Sequence, residues 1–129
     1  MKIALITTDA EMIDRVKKVA DRFEGVEVRV FNSLEEFLSP FSNIYRLILI
    51  DSIWGRDKTL SMIERVARLN PDGWLIALSP NVLHTYDYTD AGAKITILRN
   101  SMDLLESIIE GIVNPRTPEE VEKKYGYEE

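Results

Sequence analysis

Four short apolar runs, residues 3–6, 47–50, 74–78 and 95–98, the last interrupted only by Thr96, constrain this chain more than any other feature. A strand with one face in water alternates apolar and polar side chains, whereas a run that is apolar throughout is covered on both faces, as in a parallel sheet between helices. A fifth run differs. Val26, Val28 and Val30 alternate with Glu27 and Arg29 before Phe31, the pattern of a half-exposed strand at a sheet edge. At 129 residues the chain is long enough for one such layered domain and too short for two.

Amphipathic helical patterns fill the gaps. Ile13, Val16, Val19, Ala20 and Phe23 share one face of the first, and Leu60, Ile63, Val66 and Ala67 share one face of another. Thr8 with Glu11, and Ser33 with Glu36, have capping-box spacing, in which a hydroxyl and a glutamate satisfy free backbone N–H groups reciprocally. Gly25 follows the first helix, Asn70-Pro71-Asp72-Gly73 closes the third, and Ser101 with Asp103 opens a last helix through Val113. Strand and helix thus alternate five times. Right-handed crossovers with helices on both faces give an α/β, doubly wound, five-stranded parallel sheet of order 2-1-3-4-5.

Two segments are less regular. Residues 81–90 are rich in β-branched and aromatic types, which predicts a short or frayed fourth helix. Beyond the domain, set at residues 1–113, a tail of residues 114–129 carries Thr117, Pro118 and Glu120, a further helix-start signature. It predicts a short extra helix, roughly residues 118–125, with Val121 and Tyr125 on one face.

Composition removes several classes of function. The net charge of −6 opposes binding to a phosphate backbone, and the pairs Lys17-Lys18 and Lys123-Lys124 both sit among acidic neighbours, so no nucleic-acid partner is expected. No apolar run approaches the roughly 18 residues of a membrane span, so no membrane partner is expected either. The absence of cysteine excludes disulfides, thiolate metal sites and a catalytic thiol; together with a strand-like start lacking a signal-peptide pattern, it predicts a cytoplasmic protein. His84 is the sole histidine, which leaves no multi-histidine metal site. The first strand-to-helix turn, Ile6-Thr7-Thr8-Asp9-Ala10, has no glycine, so neither the dinucleotide fingerprint nor the P-loop is present.

In an open parallel sheet, function gathers beyond the carboxyl ends of the strands. Those positions hold Thr7, Thr8 and Asp9, then Asp51 and Ser52, then Ser79 and Pro80, and finally Arg99 and Asn100. Leu49-Ile50-Asp51, Ala77-Leu78-Ser79 and Ala91-Gly92-Ala93 with Leu98-Arg99 resemble, in order and spacing, a response-regulator receiver domain of the CheY-like, flavodoxin-like type. The resemblance covers residues 1 to about 113 and implies that Asp51 stands at the phosphoacceptor position. It also implies a hydroxyl at Ser79, an acidic pair after the first strand, a lysine after the last and an aromatic switch residue three before that lysine. Here the acidic pair is matched by Thr7 and Thr8, with Asp9 one place further on. The lysine is matched by Arg99 and the switch position by Thr96.

Those departures bear on chemistry. Magnesium takes octahedral oxygen ligands and usually depends on carboxylates to offset its dehydration, and transfer of a phosphoryl group depends on such charge stabilisation. Asp51 with two threonines is a poor magnesium site, so neither metal nor cofactor is expected. Arg99 is instead expected to lie against Asp51 and neutralise it. Thr8 reads most simply as a helix cap and Ser79 as a turn residue.

The resemblance further implies an output face on the fourth helix, the fifth strand and the last helix, here Tyr86, Tyr88, Thr96 and the outer side of residues 101–113. The expected function is a stand-alone, atypical receiver-like module that regulates another signalling protein, or a second copy of itself, by surface contact and is not an enzyme. Two alternatives stay open: a phosphoacceptor using Asp51 with unusual ligands, and a flavodoxin-like binder of a small ligand.

Overall fold

A computed structural model describes residues 1–38 and 44–114. Within them the order is β1 (Lys2–Ile6), α1 (Ala10–Ala20), β2 (Glu27–Phe31), α2 (Leu34–Phe37), β3 (Leu47–Asp51) and α3 (Arg56–Leu69). Then follow β4 (Trp74–Ser79), a 3-10 turn (Val82–His84), α4 (Thr85–Ala91), β5 (Ile95–Leu98) and α5 (Met102–Val113). All neighbouring strands pair in parallel, in the order β2-β1-β3-β4-β5. The expected fold is therefore the observed one, with the alternating strand at one edge.

Strand pleating divides the apolar runs between two cores. Ile48 and Ile50 of β3 pack on one face with Met62, Ile63 and Val66 of α3, while Leu47 and Leu49 pack on the other with Met12 and Val16 of α1 and Leu105 and Ile109 of α5. Unbroken hydrophobicity is thus required, because every second residue serves a different layer. Each such side chain stabilises the fold by roughly 1.5–3 kcal/mol relative to exposure. At the α2 end, Phe31 meets Phe37 and Tyr45 edge to face, with ring centroids 5.4 and 5.6 Å apart.

Local signals fared unevenly. Ser33 caps α2 as expected, its Oγ accepting from the Glu36 N–H at 3.2 Å, while the Glu36 carboxylate accepts from Asn32 N–H at 2.7 Å. Thr8 does not cap α1. The cap is Asp9, whose carboxylate accepts from the Glu11 N–H at 3.1 Å, and Thr8 lies exposed. A carboxylate one residue later reaches the same free donors and complements the helix dipole better than a neutral hydroxyl. Along α1 the buried stripe is Met12, Val16, Val19 and Ala20, with Ile13 and Phe23 only partly covered. Along α3, Thr59, Met62, Ile63 and Val66 are buried, with Leu60 and Ala67 flanking. Ser101 precedes α5 without making a side-chain cap.

The fourth helix is short, seven residues after the 3-10 turn, as its composition predicts. Gly92 ends it with φ 131°. A Cβ there would stand 2.6 Å from the Ala67 Cβ, so glycine both adopts the backbone angle and lets α4 close against α3. The tail helix expected near residues 118–125 lies outside the described residues.

Candidate functional site

Parallel pairing brings the carboxyl ends of β1, β3, β4 and β5 to one edge. Thr7 and Asp51 stand on adjacent strand ends, both fully buried. Arg99 starts two strands away from Asp51, about 10 Å at ordinary strand spacing. Only a long side chain covers that span.

Arg99 covers it and grips the carboxylate as a fork. Its Nε donates to Asp51 Oδ1 at 2.9 Å and its Nη2 to Asp51 Oδ2 at 3.1 Å. Thr7 Oγ1 donates to Oδ2 at 2.8 Å, and the Ser52 N–H donates to Oδ1 at 2.9 Å. Each carboxylate oxygen therefore accepts two hydrogen bonds, and a planar guanidinium matched to a planar carboxylate is among the stronger pairings available. Arg99 Nη2 also bonds the Asp9 carboxylate. Thr7 Oγ1 in turn accepts from the Asp9 N–H at 3.1 Å, which closes the loop on the cluster.

Electrostatics follow from this geometry. The hydrogen bond from Arg99 is the main cause holding the Asp9 carboxyl below its ordinary pKa. Partial burial acts to lower the Arg99 pKa, but the hydrogen bonds to Asp51 and Asp9 outweigh it and the guanidinium titrates above its ordinary value. Two carboxylates and one guanidinium leave the cluster with one uncompensated negative charge.

The receiver resemblance implies a magnesium ion at this edge, and the donor set does not fit one. The Asp51 oxygens are already saturated by donors, the second carboxylate is tied to the same guanidinium, and that guanidinium already neutralises Asp51. Among the described residues no group of three His, Cys, Asp or Glu is arranged to hold a metal.

Thr7, Asp9, Asp51 and Arg99 thus come together, and Thr8 does not. Ser79 is buried but turned into its own loop, donating to the Asn81 carbonyl at 2.6 Å and accepting from the Asn81 N–H at 3.4 Å. Its turn-shaping role is the one the geometry displays. The neighbouring Ser52 Oγ is buried without a hydrogen-bond partner.

On the α4 side one expectation is corrected. Tyr88 is no surface residue: it is 1% exposed and belongs to the core with Ile63, Val66 and Ala93. Burial is the largest cause raising its hydroxyl pKa. On a helix, residues two apart point in nearly opposite directions, so Tyr88 faces inward where Tyr86, 82% exposed, faces out. Thr96 is half-buried, its Oγ1 3.5 Å from both the Thr85 carbonyl and the Thr89 Oγ1, so it packs under α4. With Tyr86 stand Val82 and Leu83, both largely exposed on the 3-10 turn. The salt bridge from Arg56 Nε to Asp87 Oδ2, 2.9 Å, pins α4 to the start of α3. Sequence spacing gave no sign of that pair, because the two residues meet only once α3 and α4 are packed.

The parallel order β2-β1-β3-β4-β5 with its helices matches the flavodoxin-like receiver fold. A receiver domain protein (CheY-like) from Methanospirillum hungatei JF-1 is similar, with 28% identity and a TM-score of 0.68 over 87% of this chain and 93% of that one. A two-component response regulator from Clostridium difficile superposes with a TM-score of 0.74 at 16% identity, covering 89% and 97% of the two chains. An atypical orphan response regulator, described as having a phosphorylation-independent regulatory mechanism, matches at 20% identity and a TM-score of 0.69 over 90% and 98%. No protein-family model and no curated protein sequence matches the chain. No described helix is long and apolar enough to cross a membrane.

Proposed function

We propose that this protein is an atypical receiver-fold regulatory module that acts by protein-protein contact and does not depend on magnesium-assisted phosphorylation of Asp51. The observation that carries the reading is the fork of Arg99 on Asp51. A carboxylate whose oxygens all accept strong hydrogen bonds is a weakened nucleophile, and the adjoining residues supply no second free carboxylate to recruit a dication. The phosphorylation-independent mechanism described for the similar orphan regulator supports the same reading by analogy.

Output belongs on the exposed apolar group of Val82, Leu83 and Tyr86, since clustered aliphatic and aromatic side chains in water mark contact surfaces. The partner is another regulatory protein or a second copy of the chain. Binding of the captured partner to wild type, Asp51→Asn and a Leu83→Ser/Tyr86→Ser variant tests the reading. Asp51→Asn should retain the partner and the surface variant should lose it while melting normally. Loss on an Asp51→Asn protein that is still folded at the assay temperature, with binding kept by the surface variant, would restore a phosphorylation-controlled receiver.

A further inference from the structure

The opposite pole of the sheet carries a groove with a volume of about 480 Å³, lined by Tyr45, Arg46, Leu69, Pro71, Asp72 and Trp74. It lies where β3 and β4 begin, against the turn that closes α3. Apolar groups remain in water there: Leu69 is 56% and Trp74 39% exposed. Alternation along β4 puts Trp74 on the face of Ile76, the layer that α5 covers.

The chain itself leads to this pole. β5 runs parallel to the other strands, and α5 returns after a short turn, so its last turn at Val113 ends at the amino ends of the strands. Fifteen residues follow Asn114. Extended, they span about 50 Å, more than the roughly 35 Å width of a domain this size. Apart from prolines, their apolar side chains are Val121, Tyr125 and Tyr127. Five glutamates outnumber Arg116, Lys123 and Lys124. The groove offers the opposite balance, with Arg46 on its lining and Lys94 Nζ 5.1 Å from the Trp74 ring centroid, against Asp72.

We propose that residues 115–129 dock in this groove of their own chain, with Val121 and Tyr125 against Leu69 and Trp74 and the glutamates toward Arg46 and Lys94. The segment then shields an apolar pole that would otherwise recruit other chains. This does not rest on the reading of Asp51, which lies at the far edge of the sheet.

The test uses the full-length protein with Trp54→Phe, so that Trp74 alone reports, with and without Val121→Ser/Tyr125→Ser. Acrylamide quenching of Trp74 should rise roughly twofold when the two anchors are removed, because docking covers most of the ring's remaining exposure. In parallel, amide exchange of the peptide spanning residues 69–75, measured without the Trp54 change, should quicken in the same double variant. Unchanged quenching and exchange would overturn the proposal. So would protection that disappears on about a hundredfold dilution, since mass action would then assign the docked segment to a second copy.

Discussion

At the scale of single residues, the protein turns on what Arg99 does to Asp51. Removing one member of a buried pair leaves the other charge uncompensated, which costs about 3–5 kcal/mol. Arg99→Met should therefore destabilise the fold by that order in urea or thermal unfolding, and Asp51→Asn should recover part of the loss. The coupling energy expected from the double-mutant cycle is about 1–3 kcal/mol. Additive effects would mean that the fork contributes nothing. Asp9 gives a pH signature. Its carboxyl is held below the ordinary value mainly by Arg99, so the folded state binds that proton more weakly than the unfolded chain does. The stability it contributes is fully present above an unfolded pKa of about 3.9 and is lost as pH falls through the depressed folded value. Asp9→Asn should accordingly flatten the acid limb of a stability-against-pH profile and leave the slope above about pH 5 unchanged.

At the scale of elements, α4 ends in close contact with α3 at Gly92, beside Ala67. Gly92→Ala brings a methyl group onto Ala67 and forces alanine to φ 131°, and the two effects together should cost roughly 2–4 kcal/mol in thermal unfolding. Gly25→Ala shares the positive φ without the contact, so it should cost less. The strands and most helices were legible in the sequence because burial on two faces leaves no room for polar residues in 47–50 or 74–78. The Thr8 cap was misread because Thr8 and Asp9 are both good caps one residue apart, and spacing does not decide which hydroxyl or carboxylate turns inward. Tyr86 and Tyr88 share the output face that the receiver resemblance implies. Only the phase of α4 separates them, and a seven-residue helix is too short for its own periodicity to set that phase.

For the whole molecule, the parallel order gathers the polar residues after the strands at one pole. The pairing of Asp51 with Arg99 was legible because strand ends in this topology converge on a single edge. The bond from Asp9 to the same guanidinium was not, because it depends on where a side chain reaches after the strands are laid down. Arg99 should close this converged edge to ordinary phosphoryl chemistry. Intact mass of the full-length protein after incubation with acetyl phosphate and millimolar magnesium tests it most directly, with Asp51→Asn as the control. No gain of a phosphoryl group is expected in either protein; a stoichiometric, magnesium-dependent gain in wild type that is absent from Asp51→Asn would show the edge open to phosphorylation.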